Sequence, residues 1–323
     1  MWPLNIFPPA WHLCLQCPLL FPCPPLQASH RSPSPLRQNR ARQTSMNGTP
    51  GGTNLCNPTP RNNRKPSRLK VNIMITTLDI SGFTAPSSNV SGIDKWSTIN
   101  RTINKNHIAI LTLQETHLDP SLLQNVVTCF GKRLEILISA HPENPHSTAG
   151  VAFVINKALI NLQNYMMHEL LPGWAATLKI KWLDDEELAL LNVYAPNVQE
   201  ENAAFWDIID NMWWSIHLRC PDFLLGGFNT TEDKIDCSTT HLDDANATNA
   251  LRALCHTMKL QDSWRHSYPT ERSFTYRANA NSRQIQSWLD RIYTTNQISN
   301  QIMEWKTLLT TVTTDHSLVI VTV

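Results

Sequence analysis

Residues 107–118 read HIAILTLQETHL, and this stretch decides the fold class. A continuous apolar run of this length is typical of a strand that is buried on both faces, because a half-exposed strand alternates apolar and polar residues. The run ends at a carboxylate, Glu115. A buried strand that delivers a charged side chain at its end predicts an α/β fold with a polar site at the edge of a sheet.

The same kinds of pattern continue along the rest of the chain from residue 70. Apolar and β-branched runs predict strands over residues 70–78, 150–157, 175–182, 187–195, 274–276, 289–293 and 318–323. Apolar residues at helical spacing predict helices over residues 96–103, 205–216 and 251–258. Strands and helices therefore interleave through one unit, which predicts an α/β sandwich of two packed sheets flanked by helices.

Residues 1–69 differ from the rest of the chain in composition. Nine of the 27 Lys and Arg residues lie between Arg31 and Lys70, and all 26 acidic residues follow them, so residues 71–323 carry a net charge of −8. The same N-terminal segment holds 13 of the 21 prolines and no long apolar period. Such a composition buries too little surface to offset chain entropy. We predict a disordered, basic, proline-rich leader over residues 1–69 and a folded domain over residues 70–323.

The extreme N-terminus is apolar, yet it lacks the features of a signal peptide. Prolines interrupt every apolar run of residues 1–27, no basic segment precedes them, and no stretch reaches the roughly 18 apolar residues of a membrane span. Cys14, Cys17 and Cys23 have no second pair at zinc-binding spacing. We expect an intracellular protein, nuclear or cytoplasmic, with no secretion and no membrane contact. The basic arm either contacts nucleic acid or has no role.

Polar residues follow several of the predicted strands, and side chains at strand ends can converge on one edge of a sheet. They are Asp79, Glu115, Asn192, Tyr194, Asn229, Asp290, Asp315 and His316. Each has a structural alternative when it is taken alone: Glu115 as a cap of the next turn, Asp290 as a partner of Arg291, and His316 as a structural histidine. At any single position, the structural explanation is at least as strong as the functional one.

In order, the segments TTLDISGF, LQETHL, STAGVAFVINK, LALLNVYAPN, LLGGFNTTEDKID, SWLDRIY and TDHS resemble the endonuclease/exonuclease/phosphatase superfamily. The resemblance spans roughly residues 70–323. The NVYAPN and GGFNTTEDKID segments look most like the apurinic/apyrimidinic-type endonuclease domain of LINE-type (non-LTR) retrotransposons. They fit inositol phosphatases, sphingomyelinases and deadenylases less well.

The resemblance implies a four-layer sandwich of two mixed sheets, with Mg²⁺ or Mn²⁺ held where their edges meet, and hydrolysis of phosphodiesters in DNA. It implies metal-ligand roles for Glu115, Asp79 and Asp315, and catalytic roles for His316, Asp290, Asn229 and Tyr194. Carboxylate oxygens suit Mg²⁺, and an imidazole held by a carboxylate keeps one tautomer beside a phosphate. We expect a monomer with DNA as partner and no nucleotide cofactor.

Two positions depart from the family pattern. Asp79 stands where the family has Asn, and Gly227 stands where the family motif GGDFN has the aspartate that activates the attacking water or protonates the leaving group. Loss of a general acid or base lowers a rate by about 10²- to 10⁴-fold. Asp222 lies roughly 16 Å back along the strand, at about 3.3 Å per residue, and Glu232 is poorly aimed, so neither is expected to substitute.

Three functions therefore stay open: a metal-dependent DNA endonuclease impaired at Gly227, a non-catalytic nucleic-acid-binding remnant, and a phosphatase acting on a small phosphate ester. The net charge of −8 over residues 71–323 argues against strong unspecific affinity for DNA. The chain ends directly after the last motif, and we interpret it as an isolated, decaying endonuclease domain with a translated leader.

Overall fold

The computed structural model describes residues 72–83, 92–182, 186–238, 243, 245–280 and 283–323. The leader that we predict over residues 1–69 lies outside these residues, so its order stays a prediction. Within the described ranges, no helix is long and apolar enough to cross a membrane.

The strands are β1 (Met74–Asp79), β2 (Ile110–Gln114), β3 (Leu134–Ser139), β4 (Val151–Asn156), β5 (Met166–Leu171), β6 (Ala175–Trp182), β7 (Glu186–Tyr194), β8 (Phe223–Gly227), β9 (Leu260–Gln261), β10 (Tyr276–Ala280), β11 (Arg283–Ser287), β12 (Asp290–Thr295), β13 (Glu304–Leu309) and β14 (Ser317–Thr322). The helices are α1 (Gly92–Asn106), α2 (Pro120–Phe130), α3 (Gln199–Ser215), α4 (Ala245–Thr257), α5 (Ser263–Ser267) and α6 (Asn296–Ser299), with a 3₁₀ turn at Lys234–Asp236.

Two six-stranded mixed sheets form the centre of the fold. The first has the order β13-β14-β1-β2-β4-β3, and the second has the order β5-β6-β7-β8-β12-β9. One neighbouring pair in each sheet is parallel, β1 with β2 and β7 with β8, and the other pairs are antiparallel. Strands β10 and β11 form a separate hairpin.

The two sheets pack face to face through an apolar core. Ile75 and Phe153 of the first sheet belong to the same buried cluster as Leu190 and Leu225 of the second. A polar bridge crosses this core at Asn192, whose Oδ1 accepts a hydrogen bond from Gln114 Nε2 at 2.6 Å and whose Nδ2 donates to the Ala152 carbonyl at 3.0 Å. Asn192 thus links the sheets and is not part of the site edge.

Helices cover the outer faces of the sheets. Trp96, Ile99 and Ile103 of α1 pack with Leu111 and Leu113 of β2 in a second buried cluster. On the other sheet, α3 buries Phe205, Trp206, Ile209 and Trp213, and α4 buries Leu251 and Leu254. The result is two mixed sheets flanked by helices, which confirms the predicted fold class.

Some elements differ from the sequence-based expectations. Asp290 does not follow a strand: it is the first residue of β12, paired with Gly227 at the last position of β8. Helix α2 was not predicted, although Asp119 caps its first turn and Pro120 opens it, a combination that marks helix starts. Strands β3, β5 and β13 were also not predicted; all three lie at the edges of the sheets, and β5 and β13 are largely exposed.

Candidate active site

The sheet topology brings six sequence-predicted positions to one edge of the sandwich. Four lie at or directly after the ends of β1, β2, β7 and β8, and two lie at the starts of the antiparallel strands β12 and β14. The positions are Asp79, Glu115, Tyr194, Gly227, Asp290 and His316. Register confirms the proximity, since Gly227 pairs with both Tyr194 and Asp290. Positive φ values at Glu115 (48°) and Asn229 (49°) turn the chain out of the sheet directly after two of these strands.

His316 and Asp290 form an imidazole–carboxylate pair. His316 Nδ1 donates to Asp290 Oδ2 at 2.7 Å, and the Asp290 side chain is fully buried. Burial alone lowers the pKa of His316, but Asp290, Asp79 and Asp315 outweigh it and raise the pKa to about 10. The pair fixes the imidazole as a cation whose Nε2 remains available, with Asp315 Oδ1 3.9 Å away.

Glu115 and Tyr194 form a second pair that joins the two sheets at the same edge. The Tyr194 hydroxyl donates to Glu115 Oε1. Trp174 stacks on the Tyr194 ring, with ring centroids 5.8 Å apart and planes 14° apart. Burial, with Glu115 next in importance, raises the pKa of Tyr194, so the phenol is a hydrogen-bond donor at neutral pH.

Asp79 is buried at the end of β1, and the turn after it connects to Asp315. Asp79 Oδ1 accepts the Ser81 backbone N–H at 2.8 Å, and the Ser81 hydroxyl donates to Asp315 Oδ1 at 2.7 Å. Burial is the main reason that the pKa of Asp79 is raised to about 8, while His316 opposes the rise and Glu115 adds to it. The four acids and one histidine of this edge therefore influence one another.

Lys95 is a residue at the site that the sequence reasoning missed. Its ammonium group is buried beneath the turn after β1 and donates to the Ile80 and Gly82 carbonyls, both at 2.7 Å. Burial lowers the pKa of Lys95, and Asp79, Asp315 and Glu115 oppose that effect. The signal in the sequence was its spacing of four and eight residues from Ile99 and Ile103, which places Lys95 on the buried face of α1.

Asn229 lies after β8 and is held by the neighbouring turn. Its Nδ2 donates to the Ala195 carbonyl at 2.7 Å, and its own carbonyl accepts from Gln199 Nε2 at 3.2 Å. Asn229 is thus brought beside the end of β7.

Tyr276 of the β10–β11 hairpin is a second residue at the site that the sequence did not indicate. It packs on His316 with ring centroids 5.1 Å apart.

The two glycines of β8 differ in what the backbone demands of them. Gly226 has a φ of +141°, and a Cβ there would lie 1.9 Å from the Val193 carbonyl oxygen, so only glycine fits. Gly227 has no such positive φ, and its Cβ would meet Tyr194 Cδ2 at 3.4 Å, an ordinary contact. The fold therefore does not require glycine at position 227, and a Cβ has room there.

The two acids considered as replacements for an aspartate at position 227 are engaged elsewhere. Asp222 accepts from the Ala189 backbone at 2.8 Å and pairs with Arg219 at 2.7 Å, at the opposite end of β8. Glu232 accepts from the Tyr293 hydroxyl and pairs with Arg252 at 3.0 Å. These contacts agree with the expectation that neither acid substitutes.

The donor chemistry of the edge fits a hard cation, but only as an open site. Asp79, Glu115 and Asp315 supply carboxylate oxygens, and Mg²⁺ usually takes one or two protein carboxylates and keeps several waters. In the part of the chain that is described, no group of three or more His, Cys, Asp or Glu side chains is arranged to hold a metal ion. The three-carboxylate ligand set therefore stays a proposal.

Comparisons with known proteins place this geometry in a family. The family model described as "Endonuclease/Exonuclease/phosphatase family" matches residues 87–315. The Transposon TX1 uncharacterized 149 kDa protein of Xenopus laevis is 30% identical over 112 residues, which is 35% of this chain and 8% of that protein. The chain therefore spans only a small part of that relative's length.

Solved structures share the fold at low sequence identity. The endonuclease domain of TRAS1, a telomere-specific non-LTR retrotransposon, has a TM-score of 0.57 and 12% identity, covering 78% of this chain and 98% of that one. The 3′ phosphatase NExo from Neisseria, solved with a product DNA hairpin, has a TM-score of 0.59 and 18% identity, covering 77% and 98%. Since the family model spans well over half of the chain, this protein belongs to the Endonuclease/Exonuclease/phosphatase family.

Proposed function

We propose that this protein is a divalent-metal-dependent phosphodiesterase of the DNA-endonuclease type, and that glycine at position 227 reduces its rate. The observation that carries the proposal is the meeting of two pairs, His316–Asp290 and Tyr194–Glu115, at one edge formed by both sheets. Such an edge combines a protonated imidazole, a phenol and several acids, which is the inventory that phosphodiester hydrolysis uses.

Each residue of the edge has its own role in the proposed hydrolysis. Protonated His316, held by Asp290, binds a non-bridging oxygen of the scissile phosphate and stabilises the negative charge that develops there. From the other sheet, the Asn229 amide binds the phosphate, and the Tyr194 hydroxyl, which donates to Glu115, orients that carboxylate beside the phosphate. Glu115 would hold Mg²⁺ or Mn²⁺, with Asp79 and Asp315 as further oxygen donors. When bound, the cation supplies charge neutralisation at the phosphate.

DNA is the proposed substrate because of the retrotransposon and DNA-bound relatives, and its electrostatic attraction must be local. Residues 71–323 have a net charge of −8, so binding depends on the cation and on the few basic side chains of the edge. Arg277 is one of these: its guanidinium donates to the Ser317 hydroxyl at 2.6 Å, directly after His316. The third hypothesis, a small phosphate ester as substrate, has no observation of its own in support.

The test is nicking of supercoiled plasmid by the full-length protein in Mg²⁺, in Mn²⁺ and in EDTA. We expect slow, metal-dependent nicking that His316→Ala abolishes, and Gly227→Asp should accelerate it by about 10²-fold or more, the usual contribution of a general acid or base. The exposed His168→Ala variant is the matched control and should nick like the parent. If no variant nicks in either metal, the proposal is wrong.

The vacant side-chain position at Gly227 also favours a second candidate, a nucleic-acid-binding remnant. Fluorescence anisotropy with a labelled duplex in Ca²⁺ separates the two functions, because a remnant binds without cleaving. Binding by the parent, combined with no nicking by the parent or by Gly227→Asp, would select the remnant.

A further inference from the structure

A buried lysine supports the turn that follows β1. Lys95 of α1 is 1% exposed, and its ammonium group donates to the Ile80 and Gly82 carbonyls, both at 2.7 Å. Two buried carbonyl oxygens that face the same point need a donor, and hydrogen bonds from a charged group are the strong ones. Lys95 therefore holds this turn at the residues before and after Ser81.

The turn has a backbone conformation that needs such support. Ser81 and Gly82 both have positive φ values, 48° and 85°. The left-handed conformation costs a residue other than glycine roughly 1–2 kcal/mol, so other contacts must stabilise Ser81 in it. The Gly82 N–H donates to the Glu115 carbonyl at 2.7 Å on one side of the turn, and Lys95 donates from the other side. Together these contacts keep Ser81 in the left-handed conformation.

In this conformation Ser81 contacts two acids of the edge at once. Its N–H donates to Asp79 Oδ1 at 2.8 Å, and its hydroxyl donates to Asp315 Oδ1 at 2.7 Å. Asp79 ends β1, whereas Asp315 precedes β14, so Ser81 joins two segments that are far apart in the sequence. Because the two oxygens of a carboxylate are rigidly joined, fixing one oxygen of each acid also limits the position of the other.

Thr314 extends these contacts to the segment before β14. Its hydroxyl lies 3.0 Å from the Ser81 hydroxyl and donates to the Asp79 carbonyl at 2.8 Å. The same hydroxyl oxygen accepts the His316 N–H at 3.2 Å. The turn after β1 and the segment that carries Asp315 and His316 therefore form one hydrogen-bonded unit at the edge.

We propose that Lys95 is a positioning residue of the cation site, and that it acts through Ser81, which sets the orientation of Asp79 and Asp315. In this role Lys95 contacts the turn and not the cation. Oxygens that are already oriented bind a cation more tightly than mobile ones, because less conformational freedom is lost on binding. The inference rests on the cation site of the proposed function.

The charge of Lys95 acts on a bound cation in the opposite direction. The ammonium group lies near enough to Asp79, Asp315 and Glu115 to interact with their charges, so it also repels a cation that these acids hold. Loss of the charge alone tightens cation binding, whereas loss of positioning weakens it. A substitution of Lys95 taken alone mixes the two effects, and the test must separate them.

The test is a double-mutant cycle on the affinity for Mg²⁺, measured by isothermal titration calorimetry on four full-length proteins: the parent, Ser81→Ala, Lys95→Met, and the variant with both substitutions. In the parent, Ser81→Ala should weaken Mg²⁺ binding by about tenfold, a coupling of the size found between residues of one hydrogen-bond network. In the Lys95→Met background, the same substitution should change the affinity by less than about twofold, because the turn no longer places Ser81 against the acids. The effect of the lysine charge is the same with either residue at position 81 and cancels in this comparison.

Controls separate positioning from folding and from general charge effects. Ser121→Ala removes a serine hydroxyl that donates to an acid away from the edge, Asp119, at 2.8 Å, and Lys105→Met removes an exposed charge from the same helix. Both should bind Mg²⁺ like the parent. Thermal melting checks that each protein folds. If Lys95→Met does not melt cooperatively, Lys95→Gln takes its place: its amide is one bond shorter, so it keeps a polar group in the space but does not reach both carbonyls.

The outcomes for the inference and for the proposed function are distinct. The inference is overturned if Ser81→Ala weakens Mg²⁺ binding by the same factor in both backgrounds, or if it has no effect in the parent. A parent that binds Mg²⁺ but nicks no plasmid, with or without Gly227→Asp, ends the proposed hydrolysis, and the affinity cycle still decides the inference. A parent that binds no Mg²⁺ overturns the inference together with the cation site.

Discussion

Two groups of charged side chains among the described residues, one buried and one at the edge of the sheets, differ in how their charges are balanced. The arginine cluster consists of Arg291, Asp236, Asp262 and Arg265. Fully buried Arg291 pairs with Asp236 at 2.8 Å and with Asp262 at 3.0 Å, and Arg265 also pairs with Asp236. Burial raises the pKa of Asp236, but Arg291 and Arg265 outweigh it and hold the pKa below its ordinary value.

The site cluster, made of Asp79, Glu115, Asp290, Asp315 and His316, is not balanced in this way. Its histidine pairs with one acid, and the buried Lys95 donates to backbone carbonyls and not to the acids. A cluster that neutralises itself is explained by folding alone, whereas buried acids in excess are costly unless something else binds them. The second cluster is therefore the one that we propose for a cation and a substrate.

The largest effect on stability is expected from the arginine cluster. Arg291→Met leaves two buried acids without their shared cation, and breaking a buried pair from one side costs about 3–5 kcal/mol. At about 2–4 °C per kcal/mol for a domain of this size, the melting temperature should fall by roughly 6–20 °C. Calorimetry measures this, with Lys306→Ala as control, since the exposed Lys306–Glu304 pair should contribute at most about 1 kcal/mol. Equal melting of Arg291→Met and the parent would refute a structural role for the cluster.

A smaller effect, on ligand affinity and not on folding, is expected at Glu115. Glu115→Gln keeps an acceptor for the Tyr194 hydroxyl but removes the charge that attracts the cation. Mg²⁺ should bind about tenfold more weakly, which corresponds to about 1.4 kcal/mol. Isothermal titration calorimetry measures the affinity, and Glu135→Gln, at the Lys157 pair away from the edge, is the control. Unchanged affinity in Glu115→Gln would move the cation site elsewhere.

The stability of the protein should depend on pH through the buried carboxyl group of Asp79. Burial raises its pKa from 3.8 to about 8, so in this interval the folded state holds a proton that the unfolded state has released. The contribution of Asp79 to stability therefore falls as the pH rises from about 4 to about 8. Asp79→Asn removes this titration. With EDTA present, the melting temperature of the variant, measured relative to that of the parent, should rise by a few degrees between pH 5 and pH 9, at about 2–4 °C per kcal/mol. A constant difference between the two melting temperatures would contradict the prediction.

The smallest effect is expected from removal of the predicted leader. A protein that begins at Leu69 should melt with the same midpoint and the same cooperativity as the full-length chain, because residues 1–69 lack the apolar period needed to pack on the domain. Circular dichroism at matched concentration measures both curves. A clearly lower midpoint would place a stabilising contact in the leader.

Local pattern was sufficient for the elements that are fully buried. The run at β2 predicted its strand because all five of its residues are buried, which requires apolar side chains on both faces. Strand β13 could not be predicted in this way, since it is an edge strand without a fully buried residue, and its Leu309 is exposed. The burial of Lys95 was not predicted for a different reason. A lysine is expected in solvent, and only the turn packed above α1 provides the two carbonyls that its ammonium group needs.

The sequence by itself determined most of the buried strands, three of the helices, the chemical types at the strand ends, and the absence of an aspartate at position 227. Only the tertiary structure decided that Asp79 and Asp290, 211 positions apart in the sequence, flank the same space at Gly227. The physical reason is that this proximity arises from long-range strand pairing, β8 with β12 and β1 with β14, and from the packing of two sheets. Periodicity reports which face of a strand is buried, but not which distant strand lies beside it.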